Sequence, residues 1–549
     1  MGTVPVVDAG ANAPALAQVR AAAQALASDG RQEDAFEYVL AALAAVLRQT
    51  HELQVLLAKF RRAHVGKTSE RLDPAQLALL LEELQRLGSP ADELNAEAEA
   101  RADAELTIEI GAAEQVQRER SEPKPPRGTW QTHGVERRVQ RVELPAEERI
   151  CATCGREKSY IGDDITRTLE FVPAHFVEHE DHREKYACGT CKRGVSTAAA
   201  SAKVIERSAA DASLLAHVVV SKYVDHCPLH RLHRIYARSG AVIPVSTLSD
   251  WAMAVGERIL PLVDVLVERV VRAYIVRTDA TGLKVLDPSS PENIELGTMW
   301  CYVGDDHDVV IRYTPTGEGA SGPWDFLAGR RGYVQADAAT VFDRLYNGQA
   351  AAAVEVGCWA HGRRRLVALQ DSDCRVAYPL QLIARLYRIE HLARARLLGA
   401  EERAALRAER SQVVLDKLRR WLGATLPEEP PSSDLAKAAG YLVNQWTALT
   451  RFVGDGRLDL DNNLCEQQLR TIALGRRNFL FAGSHEAARR AAALYSLTRT
   501  SALHGVAPLP YVTDVLRKLA QGWERHRLEE LLPDRWNALH NPDRALDTS

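Results

Sequence analysis

Residues 273–286, AYIVRTDATGLKVL, decide the fold of this 549-residue chain. Their first half is rich in β-branched and aromatic side chains, which predicts a strand over 273–278 that ends on Asp279. Gly282 then predicts a turn. Ligands of open α/β sheets bind at the carboxyl ends of strands, so an acid at this place is a candidate site residue.

Outward from this strand, the sequence predicts four more strands. They are TMWCYVG (298–304), DVVIRYT (308–314), RGYVQAD (331–337) and AAVEVGCW (352–359). The first two form a hairpin across the polar DDH, the third ends on Asp337, and helices follow the last two. Three strands in a row and then alternation with helices indicate a mixed sheet covered by helices. The first and fourth strands then lie side by side, so Asp279 and Asp337 face one cleft.

A third acid, Glu466, lies in LDLDNNLCEQQLRTIALGRRNFLFAGS (458–484). Asn462 or Asn463 predicts the start of a helix, and a helix over the sheet brings Glu466 to the other two acids. Carboxylates are ligands for Mg²⁺, and two ions about 3.5–4 Å apart stabilise the attacking and leaving oxygens of a phosphodiester. Any one of these acids alone is more often a surface charge, but their order and flanking patterns together favour a site for two Mg²⁺ or Mn²⁺ ions.

These motifs resemble the bacterial insertion-sequence sixty-six transposases, in their TnpC-type large subunit. The most specific match is residues 458–484, similar to the family's Asn-Asn-x-x-Glu and Gly-Arg-(Lys/Arg)-Asn-(Trp/Phe)-Leu-Phe-x-Gly-Ser patterns; GCWAHGRRRL and the segment beginning VSKYVDHCPLHR also match. The resemblance implies an RNase H-like core with a catalytic DDE triad, here Asp279, Asp337 and Glu466. It implies cleavage and strand transfer of DNA at terminal inverted repeats and target DNA, with two small accessory transposition proteins.

The chain departs from the family at one position. The family usually has Asp-Glu-Thr at the first acid, whereas this chain has Ala280 after Asp279. The departure keeps two alternatives open: a catalytically inactive, transposase-derived DNA-binding regulator, and an RNase H-like structure-specific nuclease that lacks the joining step.

The net charge of −4, with 26% charged residues, excludes a uniformly basic DNA-binding protein, so DNA contacts must be local patches. Residues 457–499 hold seven arginines against four acids. Arginine pairs bidentately with phosphate, which indicates a DNA-backbone contact, although a solvated helix face gives the same pattern. Residues 361–366, HGRRRL, form a second basic segment. The DNA-binding residues predicted from the two segments are His361, Arg363, Arg364, Arg470, Arg476 and Arg477.

No apolar run approaches the roughly 20 residues of a membrane span. The first residues, MGTVPVVDAG, lack the basic region of a signal peptide. We therefore expect a cytoplasmic bacterial protein, nucleoid-associated when bound to DNA and without a membrane partner.

Two C-x₂-C pairs predict a structural zinc site. They comprise Cys151 with Cys154 and Cys188 with Cys191. Four thiolates fill all positions of a tetrahedral zinc ion, and the segment between the pairs fits a zinc ribbon with a long hairpin. Free cysteines or two redox dithiols are the alternatives.

The amino-terminal third shows an a/d heptad pattern, in which residues recur at alternating intervals of four and three. Its members are Val39, Leu43, Val46, Thr50, Leu53, Leu57 and Phe60. A coiled coil that makes the chain a homo-oligomer and an amphipathic helix packed on its own chain are equally compatible with it.

These patterns together predict a multidomain α+β protein. The expected parts are a helical, coiled-coil-like arm (33–120), a proline-rich linker (121–130), a zinc ribbon (131–200), a helical region resembling helix-turn-helix DNA-binding modules (208–270), an RNase H-like DDE catalytic domain (271–495) with a helical insertion (about 376–452), and a C-terminal helical domain (496–540). Whether residues 208–270 bind DNA or only connect domains stays open, since the six-residue connection is longer than a usual helix-turn-helix turn.

Overall fold

The structure is a computed structural model, and it describes Ser28, residues 96–120, parts of 138–187, and 195–540 apart from 306, 316–321 and 348–352. The predicted coiled coil at 39–60 lies outside the described residues, as do Cys151, Cys188 and Cys191. The chain divides into two compact units. We call Met1–Ile110 with Val356–Asp461 the helical unit, and Gly111–Glu355 with Asn462–Ser549 the sheet unit.

A five-stranded mixed sheet with the order β5-β4-β3-β6-β7 forms the centre of the sheet unit. Its strands are β3 (Ile275–Leu286), β4 (Ile294–Gly304), β5 (Val309–Thr314), β6 (Gly332–Gln335) and β7 (Ala353–Val356). The strands β3, β4 and β5 pair antiparallel in sequence, and β6 pairs parallel with β3. The prediction of a mixed sheet with its first and fourth strands adjacent is therefore confirmed.

The prediction that β3 ends on Asp279 is wrong. The strand continues to Leu286, and Gly282 lies opposite Thr298 on β4 instead of making a turn. A side chain at Gly282 would meet Leu296 Cδ1 at 3.3 Å, which is why a small residue is suited to this position. Because β6 ends at Gln335, the second half of β3 pairs with β4 on one side and on the other forms a parallel bridge between Val285 and Ala482.

Helices of the sheet unit precede, interrupt and follow the sheet. They are α2 (Ala212–Tyr223), α3 (Leu229–Arg238), α4 (Val245–Arg258), α5 (Leu260–Arg272), α6 (Gly322–Leu327), α7 (Asp343–Tyr346), α14 (Asn463–Phe479), α15 (His485–Leu503), α16 (Pro508–Ala520) and α17 (Pro533–His540). Helices α4 and α5 are separate because Pro261 lies in the first turn of α5, since proline is tolerated there and not in a helix interior.

Helix α15 covers the outer edge of β5. The Ser496 hydroxyl accepts a bond from Ile311 N at 2.8 Å, and the Thr500 hydroxyl accepts one from Val309 N at 3.0 Å. Residues four apart on a helix thus match residues two apart on a strand. The two hydroxyls thus pair with backbone N–H groups that the edge strand of an open sheet would otherwise leave without a strand partner.

The helical unit contains the residues predicted as a helical insertion. Its helices are α1 (Ala96–Arg120, whose last ten residues fall in the sheet unit), α8 (Trp359–Val367), α9 (Ala377–Ala395), α10 (Ala400–Leu406), α11 (Gln412–Thr425), α12 (Asp434–Asn444) and α13 (Trp446–Thr450). Residues 426–433, LPEEPPSS, lie between α11 and α12. A π-helical turn, Arg407–Ser411, joins α10 to α11.

A fully buried arginine fixes the last loop of the helical unit. Arg407 makes a two-pronged ion pair with Glu390, at 2.7 and 2.8 Å. It also donates to the carbonyls of Phe452, Asp455 and Leu458 at 2.7–2.9 Å. With a carboxylate and three carbonyls around it, the buried charge is compensated.

In the zinc-ribbon segment, the described residues include a short antiparallel pair, β1 (Lys185–Ala187) with β2 (Val195–Thr197). Cys154 lies in a turn and is exposed. None of the described helices combines the length and apolarity that a bilayer crossing requires.

Candidate active site

Asp279 and Asp337 follow the paired segment of two parallel neighbouring strands. The register of β3 with β6 ends at the pair Arg277 and Gln335. Each acid lies two residues beyond its member of that pair. The two carboxylates therefore extend from the same edge of the β3–β6 pair, and both are partly exposed.

A buried arginine holds the opposite end of the same two strands. Arg330 donates to the carbonyls of Val271 and Ala273 at 2.7 Å, and to those of Tyr274 and Tyr333 at 3.0 Å. Its burial lowers the pKa of the guanidinium to about 10, so it stays charged at neutral pH. Arg330 thereby sets the alignment of β3 with β6, on which the relative position of the two acids depends.

The first turn of α14 brings Glu466 to the β3–β4 pair. The Asn462 side-chain amide donates to the Thr278 carbonyl at 2.8 Å. The Cys465 thiol donates to the carbonyl of Cys301, at 3.5 Å, and Cys301 is the residue paired with Asp279 across β3 and β4. Of the two asparagines predicted to start the helix, Asn462 occupies the cap position, but its side chain makes no cap bond and holds the helix to the sheet instead.

The pKa of Cys465 reflects the closeness of the first turn of α14 to the β3–β4 pair. Burial raises the pKa of this thiol first of all, contact with Cys301 adds to the rise, and the negative charge of Asp279 raises it further. The residue directly before Glu466 therefore experiences the field of Asp279. In this way α14, β3 and the end of β6 place all three predicted acids in one region of the sheet unit.

The three carboxylates suit hard cations chemically, because oxygen ligands are what Mg²⁺ and Mn²⁺ prefer. Their oxygens do not all lie within 4.8 Å of one another. A single ion would require such a common centre.

Sequence reasoning missed Arg277, which is buried at 5% exposure in β3. Residues two apart on a strand point to the same face, so Arg277 lies on the face that carries Asp279. Its positive charge also lowers the pKa of Cys465. The signal in the sequence was a charged residue at a position where alternation predicts a buried one.

The predicted DNA-binding residues fall in both units. On α14, Arg470 and Arg477 are exposed, whereas Arg476 donates to the Thr281 hydroxyl at 3.1 Å and to the Gly282 carbonyl and so holds the helix to β3. His361, Arg363 and Arg364 lie on α8 of the helical unit, and Arg364 is exposed.

Family models describe most of the chain from residue 148 onward. "Transposase IS66 family" matches residues 207–490, "zinc-finger binding domain of transposase IS66" matches 148–192, and "IS66 C-terminal element" matches 496–533. The fold and the matches define a transposase, and the chain belongs to the IS66 transposase family. The second match covers all four predicted zinc-ligand cysteines and supports a structural zinc ion.

Relatives in Sinorhizobium fredii (strain NBRC 101917 / NGR234) extend the likeness over most of the chain. The uncharacterized protein y4qI is 33% identical over 430 residues, which are 75% of this chain and 78% of y4qI. The uncharacterized protein y4hP is 31% identical over 513 residues, 88% of each chain. The uncharacterized protein y4jD is 30% identical over 411 residues, 72% of this chain and 80% of y4jD.

Proposed function

We propose that this transposase has an RNase H-like catalytic core in which Asp279, Asp337 and Glu466 form a DDE triad for DNA strand cleavage and strand transfer. The observation that carries the proposal is the equivalent position of Asp279 and Asp337 on parallel strands β3 and β6. The strand order β5-β4-β3-β6-β7, with three antiparallel strands followed by β6, which is parallel to β3, supports the core topology.

The triad would hold two divalent cations, with Asp279 shared between them. When bound, such ions stabilise the attacking and leaving oxygens of a phosphodiester and lower the pKa of bound water. Asp337 and Glu466 each supply an acidic group from a different element, a strand end and a helix start. Asn462 and Arg330 act as positioning residues, since each fixes the backbone from which one or two of the carboxylates extend.

The replacement of the family's usual glutamate by Ala280 does not argue against activity. Successive residues of a strand point to opposite faces. Ala280 therefore points away from the face of Asp279, and it pairs with Trp300 on β4. A carboxylate at this position would extend from the other face of β3, so its loss leaves the triad face unchanged.

The test is cleavage and joining of a labelled DNA that carries the element's terminal repeats, with Mg²⁺. We expect the wild type to free a 3′-hydroxyl and join it to target DNA. Asp279→Asn, Asp337→Asn and Glu466→Gln should abolish both steps and leave DNA binding intact. Asp343→Asn is the matched control, because Asp343 is an exposed acid six residues after Asp337.

The two alternative functions give different results in the same assay. A DNA-binding regulator would bind the repeats without any cleavage by the wild type, and a structure-specific nuclease would cleave without joining. Triad variants that cleave as well as the wild type would overturn the assignment of the three acids. The homo-oligomer and the two accessory proteins stay predictions of the family resemblance.

A further inference from the structure

A set of cations on the helical unit is covered by the acidic helix α1. The set comprises Arg385, Arg388 and Arg396 on α9, Arg410 on the π-helical turn and Lys417 on α11. We call these five residues the insertion face. Each of them forms an ion pair with an acid of α1.

Three acids of α1 form ion pairs with all five cations of the insertion face. Glu99 pairs with Arg385 and Lys417. Asp103 pairs with Arg385 at 2.7 Å and with Arg388 at 2.9 Å. Glu109 joins Arg396 at 2.7 Å and Arg410 at 2.9 Å. Hydrogen bonding from Arg410 holds the pKa of Glu109 below its usual value, so this pair is fully charged at neutral pH.

The attachment of α1 to the helical unit is ionic far more than apolar. Among the described residues of α1, Leu106 is the buried large apolar side chain, whereas Ile108 is 72% exposed. The Glu99–Arg385 pair is buried, whereas the pairs of Glu109 with Arg396 and Arg410 are partly exposed. Partly exposed ion pairs contribute little individually and weaken with salt. A helix held in this way can be exchanged for another polyanion.

The insertion face does not depend on α1 for its shape. Helix α9 is anchored by its own buried side chains, among them Leu382, Ile383 and Leu386. The same five cations would therefore stay in place if α1 moved away. Arg385, at 6% exposure, would then lose its cover and become available.

The spacing and chemistry of the face suit a DNA backbone. The acids from Glu99 to Glu109 span ten residues of helix, about 15 Å at 1.5 Å per residue. This length corresponds to about four nucleotide steps of 3.4 Å along one DNA strand. The arginine fork pairs with phosphate as it does with carboxylate. Four of the five cations are arginines.

We propose that the insertion face binds the sugar–phosphate backbone of DNA and that α1 occupies this face in the DNA-free protein as an intramolecular competitor. The choice of DNA as the partner rests on the proposed function. The binding itself requires neither the triad nor cleavage. The two proposals can therefore fail separately.

The test is binding of a fluorescent double-stranded DNA of arbitrary sequence to the full-length chain, in buffer without divalent cations, at several salt concentrations. Glu109→Gln frees two arginines from their competitor and should tighten binding about two- to fivefold, as expected when the partly exposed ion pairs of one carboxylate are lost. The matched control is Glu105→Gln, which removes the same charge from an exposed residue of α1 that makes no ion pair with the rest of the described chain. It should leave the affinity unchanged.

The cations supply the second arm of the experiment. Arg396→Gln/Arg410→Gln should weaken binding and flatten the dependence of log affinity on log salt by about 0.9 for each lost phosphate contact. Combined with Glu109→Gln, it should cancel the gain of that variant. The proposal is overturned if Glu109→Gln binds DNA like the Glu105→Gln control, or if it only lowers thermal stability, since α1 would then be a structural brace. An unchanged affinity and salt slope in the double arginine variant would overturn it equally.

Asp279→Asn in the same assay separates the two proposals. It should bind DNA like the wild type whether or not the triad is catalytic. A result in which the cleavage assay fails but the insertion-face variants behave as expected would leave the DNA-binding surface standing and remove only the catalytic assignment.

Discussion

Asn462 donates its side-chain amide to the carbonyl of Thr278, 2.8 Å away, and so ties the start of α14 to the strand residue before Asp279. The two residues are 184 positions apart in sequence. Asn462 is fully buried, and its bond connects the first turn of the helix that carries Glu466 to the strand that carries the first acid, while Arg476 holds the same helix to β3 further along. The geometry of the proposed triad thus depends on a residue that is not itself acidic.

Replacing Asn462 by leucine should separate these two elements. The change leaves the buried Thr278 carbonyl without its donor, which costs about 1–3 kcal/mol. We expect strand cleavage to fall well below wild type while DNA binding persists. Gln467→Ala, at an exposed position of α14, is the control and should retain both activities. Wild-type cleavage by Asn462→Leu would show that the helix start does not need this tie.

Replacing Arg330 by methionine should loosen the β3–β6 pair. Four carbonyls lose a charged donor, and hydrogen bonds to charged groups contribute about 1.5–3 kcal/mol each. We expect a large fall in the urea midpoint together with loss of cleavage. The neighbouring Arg331 is exposed, so Arg331→Met should change neither quantity. Equal midpoints for the two variants would contradict the role assigned to Arg330.

The Arg407–Glu390 pair offers a stability test in the helical unit. Arg407→Met leaves the carboxylate of Glu390 buried without its partner, which costs about 3–5 kcal/mol. The double variant Arg407→Met/Glu390→Met removes both charges and should recover part of that loss. Thermal denaturation of the single and double variants measures the difference. A double variant whose loss of stability exceeds the summed losses of the two single variants would refute this account.

Stability should also depend on pH through His217. Its ring Nδ1 lies 2.7 Å from the Tyr236 hydroxyl and 3.4 Å from the Ser221 hydroxyl. Burial lowers the pKa of His217 below 6.5, against a smaller opposing effect of Asp225. The unfolded chain therefore takes up a proton at a higher pH than the folded chain does.

The direction in which pH changes the free energy of unfolding follows from that order of protonation. The contribution of His217 to the free energy of unfolding is complete above pH 6.5 and is lost as the pH falls through the lowered folded pKa. His217→Gln removes the titration, so the wild type should lose more stability than this variant between neutral and mildly acidic pH. Parallel loss in the two proteins, followed by thermal denaturation, would show that His217 does not titrate in this way.

Local sequence pattern predicted the order of strands and helices along the chain and the adjacency of β3 and β6, because a short strand between helices and a hairpin both leave clear signals. The sequence did not show that β3 runs past Asp279. Threonine, glycine and lysine after the acid read as a turn, and their pairing with β4 depends on partner residues 12 to 18 positions away. Local propensity cannot record such a partner.

The buried arginines were also beyond sequence reasoning. Arg277, Arg330 and Arg407 look like ordinary surface charges in one sequence, since arginine is seldom fully buried. The burial of Arg330 and Arg407 is possible because backbone carbonyls or carboxylates from other segments meet them, as with Arg330 and the Val271 carbonyl or Arg407 and Glu390. The acids of the proposed triad were visible in the sequence; the residues that hold them in place were not.

The most direct test of the central claim is the number of Mn²⁺ ions that the full-length, zinc-loaded protein binds, measured by the loss of the free-ion signal in electron paramagnetic resonance. We predict that Asp279→Asn, Asp337→Asn and Glu466→Gln each bind fewer Mn²⁺ ions than the wild type, and that Asp343→Asn binds as many. Wild-type Mn²⁺ binding in all three triad variants would contradict the claim that these carboxylates form one cation site.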